Sequence, residues 1–170
     1  MENNKMNDLQ SLYLLWATIL NQSQSAEQVL LNTIELFNRL GIKKNFTDGF
    51  ESLNYEKIEK AMMMKPCLHR FPKNMSINLA SSIYLINELY DGCPSHLFDE
   101  YETEPDFKRR LMQFRGIGEH KAETAIAIFE TYKKDTNRNI FNAKCSGLYR
   151  TIGQEMEILD GLGKEEEYDR

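Results

Sequence analysis

The run Leu111-Met-Gln-Phe-Arg-Gly-Ile-Gly-Glu-His-Lys-Ala122 sets two glycines one residue apart between two stretches of helical apolar spacing. A turn of that composition does one kind of chemistry well, which is to present main-chain N–H groups to an anion. Gly116 and Gly118 remove the Cβ penalty of unusual φ values and let another backbone approach closely. Ile117 between them can pin the turn to a core, while a helix opening near Gly118 offers unpaired donors and a partial positive charge. The phosphate of a nucleic-acid strand is the anion that suits such a clamp. Leu111 and Phe114 precede the turn at i, i+3, and Ala122, Ala125, Ile126 and Phe129 follow it at helical spacing. An ordinary helix-to-helix turn carries the same pattern, so the spacing alone leaves both readings open.

Charge distribution favours the anion. The chain carries a formal net charge of −5, which argues against a nucleic-acid partner until the charges are located. Residues 155–170 hold seven acids against Lys164 and Arg170, so this stretch accounts for the whole excess. Pro105 to Arg150 holds ten Lys and Arg against five acids, and the glycine turn lies inside this basic region.

The elements that must position the turn read as helix after helix, with no period-2 strand pattern. Leu9, Leu12, Leu15, Ile19 and Leu20 form one apolar stripe. Ser25-Ala-Glu-Gln28 resembles a capping box that opens a second helix through Leu40, with Gly41 as its stop. Asn45 to Gly49 is turn chemistry, Asn54 caps a short helix ended by Pro66, and Lys73 to Tyr90 carries a long helix broken at Gly92 and Pro94. Pro105 suits the first turn of the helix leading into Gly116. Lys133 to Asn139 reads as a surface loop, and Phe141 to Ile152 as a last helix.

A chain of 170 residues with 41% hydrophobic and 28% charged residues has globular composition. The expected fold is all-α, with one domain over residues 1–154 and an acidic tail at 155–170. No apolar run reaches the roughly 18 residues of a membrane helix, and no basic-then-apolar leader opens the chain, so the expectation is a cytoplasmic monomer without a membrane partner. Cys67, Cys93 and Cys145 stand far apart and suit reduced thiols.

Phe114-Arg-Gly-Ile-Gly-Glu-His-Lys-Ala122 resembles the helix-hairpin-helix element of the endonuclease III and adenine-glycosylase superfamily of base-excision-repair enzymes. Ala17-Thr-Ile-Leu-Asn-Gln-Ser-Gln-Ser25 is similar to that family's early glutamine-bearing loop, and the resemblance covers roughly residues 9 to 150. It implies a two-lobed helical fold with the hairpin at 107–130, a cleft for double-stranded DNA between the lobes, and cleavage of the N-glycosidic bond of damaged or mismatched bases. It further implies DNA contacts from Gln22, Gln24, Arg115, Gly116, Ile117, Gly118, Lys121 and Lys144, and a monovalent cation on the backbone carbonyls of Phe114 and Ile117. No other cofactor is expected, because the iron–sulfur cysteines of many relatives are missing.

The catalytic positions depart from the family pattern. The residue two places after the second glycine, a Schiff-base lysine in bifunctional members, is His120 here, with Lys121 one place further along. Without gaps the family's aspartate position falls on Arg138, and with a longer loop allowed Ile140-Phe141-Asn142 matches better and puts Asn142 there, whose amide cannot take a proton; Asp135 is the nearest carboxylate that could replace it. Lys121 reads as a phosphate contact or exposed helix lysine before it reads as a nucleophile, since the sequence shows nothing to depress its pKa. Three functions follow: a glycosylase-like repair enzyme, a non-catalytic lesion or structure binder on the same fold, and a helical protein-interaction domain using the acidic tail.

Overall fold

The computed structural model describes residues 5–43, 49–99, 101, 103–134 and 157–162, and these are helical, with no strand among them. The helices are α1 (Asp8–Leu20), α2 (Ala26–Leu40), α3 (Tyr55–Met63), α4 (Pro72–Leu89), α5 (Glu104–Met112) and α6 (Glu119–Lys134). Two 3-10 turns, Phe50–Ser52 and Pro94–Phe98, lie between them, and residues 157–162 add a short helical segment. The turn read at Asn45 to Gly49 lies largely outside the described residues. So do the loop to Asn139 and the helix from Phe141 to Ile152.

Helix α1 is the axis of the molecule. An apolar stripe was the expectation, yet every residue from Leu9 to Leu20 is buried, because α2, α4, α6 and the Pro94–Phe98 turn surround it. Thr18 donates to the Leu14 carbonyl at 2.6 Å and the Trp16 indole donates to Ser82 Oγ on α4 at 3.0 Å, while the buried Ser11 hydroxyl has no partner among the described residues. Gln10 uses its whole amide. It donates to the Tyr132 hydroxyl of α6 (2.7 Å) and the Leu159 carbonyl (2.6 Å), and its oxygen accepts the Asn7 N–H (2.8 Å). Asn7 and Gln10 form a complete capping box that was not read from the sequence. At Ser25 only half of the expected box exists, since Gln28 turns its side chain to Asn32 at 2.9 Å.

Other boundaries follow their punctuation. Gly41 ends α2 in the left-handed region at φ 71°, Asn54 caps α3, Pro72 opens α4, and Pro105 sits in the first turn of α5 behind the Thr103 cap. Within the acidic stretch 155–170, residues 157–162 are described and are helical. Leu159 and Leu162 at helical spacing are buried against the start of α1, where Asn7 donates to the Leu162 carbonyl at 3.4 Å. No helix among the described residues is long and apolar enough to cross a membrane.

Candidate functional site

Helices α5 and α6 pack together and are joined by residues 113–118. Phe107, Leu111 and Phe114 on one side and Ala122, Ala125 and Phe129 on the other are buried, and Ile117 is buried between them. The joint is a chain of tight turns: Phe114 N–H donates to Leu111, Ile117 N–H to Phe114, and Ala122 N–H to Gly118, at 3.0–3.1 Å. Ile117 thus anchors a bend whose neighbours Arg115, Gly116 and Gly118 are exposed. The Phe114 oxygen is engaged within the bend, so a cation at the Phe114 and Ile117 carbonyls would have to share it.

The two glycines have different reasons. Gly116 sits at φ 94°, and a Cβ there would stand 2.8 Å from Asn78 Nδ2 of α4 and 3.6 Å from Ile19 Cγ2 of α1. Gly118 is outside the left-handed region, contrary to the expectation for both, and a Cβ on it would meet nothing within 4 Å. Its main chain is open to approach. The first-turn N–H groups of α6, on Glu119, His120 and Lys121, follow directly. The Glu119 carboxylate that would repel an anion is paired with Lys108 at 2.6 Å, and Lys108 also reaches Glu123 at 2.8 Å. These two acids hold the Lys108 ammonium above its ordinary pKa.

Lys121 points back across the fold. Its ammonium donates to the Gly116 carbonyl and to the Ile19 carbonyl near the end of α1, both at 3.0 Å. Partial burial pushes its pKa below the ordinary lysine value. This desolvation comes from tertiary packing on α1, which the sequence of α6 does not display.

The α1 end that Lys121 reaches is also the start of the glutamine loop. The Leu20 carbonyl accepts the Gln22 N–H (2.8 Å), the Gln24 amide (3.4 Å) and His69 Nε2 (3.2 Å). Ser23 adopts φ 58°, an uncommon conformation for a residue with a Cβ. Gln24 is held on both sides, its oxygen accepting from Asn32 at 2.9 Å, whereas Gln22 is exposed. The two segments matched by the resemblance are therefore adjacent in space, with Lys121 as the bridge.

Buried His69, unmarked in the sequence reading, fixes a third segment here. Its Nδ1 accepts the Phe71 N–H at 2.9 Å, so Nε2 carries the proton and donates to Leu20. Burial pushes its pKa below the ordinary value, with the Lys121 charge adding to the effect. Beyond it Arg70 and Phe71 are exposed, with the Arg70 guanidinium 5.8 Å from the Phe71 ring centre. Asn78, nine-tenths buried beneath Gly116, is also a new participant. Only the close approach of α4 to the turn identifies it.

Of the catalytic candidates, His120 is exposed at the start of α6 and Lys121 is half-buried as described. Asp135, Asn142 and the DNA-contact candidate Lys144 lie outside the described residues. Set against protein-family models, characterised proteins and solved structures, the chain matches none of them.

Proposed function

We propose that the chain binds double-stranded DNA, taking one strand's phosphates on the Arg115–Lys121 turn and placing the Gln22–Gln24 loop against the duplex, in a two-lobed glycosylase-like arrangement. The observation that carries this reading is the Lys121 bridge from Gly116 to Ile19, which makes an open glycine turn and a strained glutamine loop one surface. Arg115, Arg70 and Lys121 supply positive charge there, and the exposed Phe71 supplies a face on which an unpaired base can stack. Titrating a fluorescent duplex containing an abasic-site analogue at low salt tests it. Binding that weakens as salt rises supports phosphate contact, and no binding at low salt overturns it.

The Lys121 geometry favours a second, catalytic reading. A neutral amine has two N–H groups and one lone pair, and two carbonyl acceptors consume the N–H groups while leaving the lone pair for attack. Its lowered pKa enlarges the neutral fraction. Such an amine would add to the C1′ aldehyde of an abasic sugar and expel water to give an imine, which borohydride reduces to a stable secondary amine. A covalent protein–DNA adduct that is lost in Lys121→Gln supports the catalytic reading. DNA binding without an adduct supports the non-catalytic one.

A further inference from the structure

At the other end of the hairpin a cavity of about 720 Å³ opens between Tyr90, Phe98, Tyr101 and Phe129, with Lys5, Arg110 and Lys133 on its wall. A space of this size accommodates a small organic ligand. Lys133 lies 15 residues after Gly118, so on α6 it stands about 22 Å along the helix from the turn at 1.5 Å per residue. The Lys133 end of the cavity is therefore remote from the surface described above, while its Tyr90 wall packs on Phe114 beneath the turn.

Tyr90, Phe98, Tyr101 and Phe129 give it an aromatic wall. Phe98 and Phe129 have ring centres 5.2 Å apart, Tyr101 packs on Phe107 at 4.4 Å, and Tyr90 stacks on Phe114 at 6.3 Å. The Tyr101 hydroxyl is bonded to Glu130, which fixes the ring. Charge is arranged without direct cancellation at Lys133. Its ammonium sits 5.3 Å from the Tyr101 ring centre and 5.8 Å from that of Phe129, and it pairs with no carboxylate among the described residues. Arg110 is oriented by the Leu97 and Asp99 carbonyls at 2.9 and 2.7 Å. Among the described lining residues Asp99 is the one carboxylate, beside Lys5, Arg110 and Lys133, and His96 faces Asp91 at 3.7 Å.

We infer that this cavity binds a small planar anion, an aromatic ring bearing a carboxylate or a phosphate: the ring lies among Tyr90, Phe98 and Phe129, and the negative group meets Lys133 and Arg110. The test is calorimetric titration of the full chain with 2-naphthoate and with adenosine monophosphate, each beside its uncharged partner, 2-naphthylmethanol and adenosine. At least one anion should bind about tenfold or more tightly than its neutral counterpart, as expected for a charge-assisted contact. Naphthoate alone identifies a carboxylate ligand, the nucleotide alone a phosphate one, and both together the shared chemistry. Lys133→Gln should remove that advantage while leaving duplex affinity unchanged, with Lys133→Met, which keeps the unbranched stem and removes the charge, as the substitute should Lys133→Gln fail to fold. Binding of neither anion, equal affinity for charged and uncharged rings, or an unaltered anion affinity in the folded variant would overturn the inference.

Discussion

The Lys121 ammonium lies 3.0 Å from the Ile19 carbonyl, 102 positions earlier in the chain, and through it the glycine turn is tied to the end of the central helix. This bond depends on the lysine's position. One residue earlier or later on α6 the side chain would be rotated by about 100° and would no longer aim at the Ile19 carbonyl.

Replacing Lys121 by Gln should lower stability by about 1–3 kcal/mol, because two carbonyls lose a charged donor. Urea unfolding of the two proteins measures it. The pH dependence has a definite sign. With the folded pKa below the ordinary 10.5, the unfolded chain holds more protons between the two values, so this residue's contribution grows as pH rises through that window. The midpoint of the wild type relative to Lys121→Gln should thus increase as pH rises toward the ordinary lysine value of 10.5; a decrease would contradict the desolvated setting.

His69 should confer acid sensitivity. Its folded pKa lies below the ordinary 6.5, so as pH falls through 6.5 the unfolded chain takes up a proton that the folded chain refuses, and stability is lost. Chemical unfolding at about pH 7.5 and about pH 5.5 should give a larger loss in wild type than in His69→Gln. Parallel losses would remove His69 as the cause.

The glycines separate folding from recognition. Gly116→Ala combines φ 94° with a Cβ 2.8 Å from Asn78, and should destabilise by about 1–3 kcal/mol. Gly118→Ala faces open space and should change stability by less than about 0.5 kcal/mol. Thermal or urea melts of both variants decide this, and equal losses would mean that the turn is packed differently.

Truncation at residue 155 should unfold or strongly destabilise the protein, because it removes buried Leu159 and Leu162 and leaves Gln10 without one acceptor. Circular dichroism of the shortened chain checks it; a fully folded product would show that these contacts are dispensable. Charge effects of the terminus are better probed by Glu165, Glu166 and Glu167 to Gln, which leave the docked leucines in place.

Local signals were legible in the sequence, and tertiary ones were not. Ser25, Gly41, Asn54 and Pro105 set helix ends through interactions within a few residues, and each does so in the fold. The apolar spacing around Gly116–Gly118 likewise reads correctly as two packed helices with Ile117 inside. What periodicity missed was the full burial of α1, since a helix surrounded on all sides has no preferred polar face to mark it. The roles of Lys121, His69 and Asn78 were equally hidden, for each depends on partners 38 to 102 residues away. The docking of Leu159 and Leu162 was masked by the acidic residues around them.

The most direct test is the affinity of an abasic-analogue duplex for wild type and Gly118→Leu, measured by fluorescence anisotropy with unfolding curves taken in parallel. An open main chain that grips phosphate should lose about tenfold or more in affinity when the leucine blocks it, with the folding midpoint nearly unchanged. Equal affinity of the two folded proteins would contradict the account.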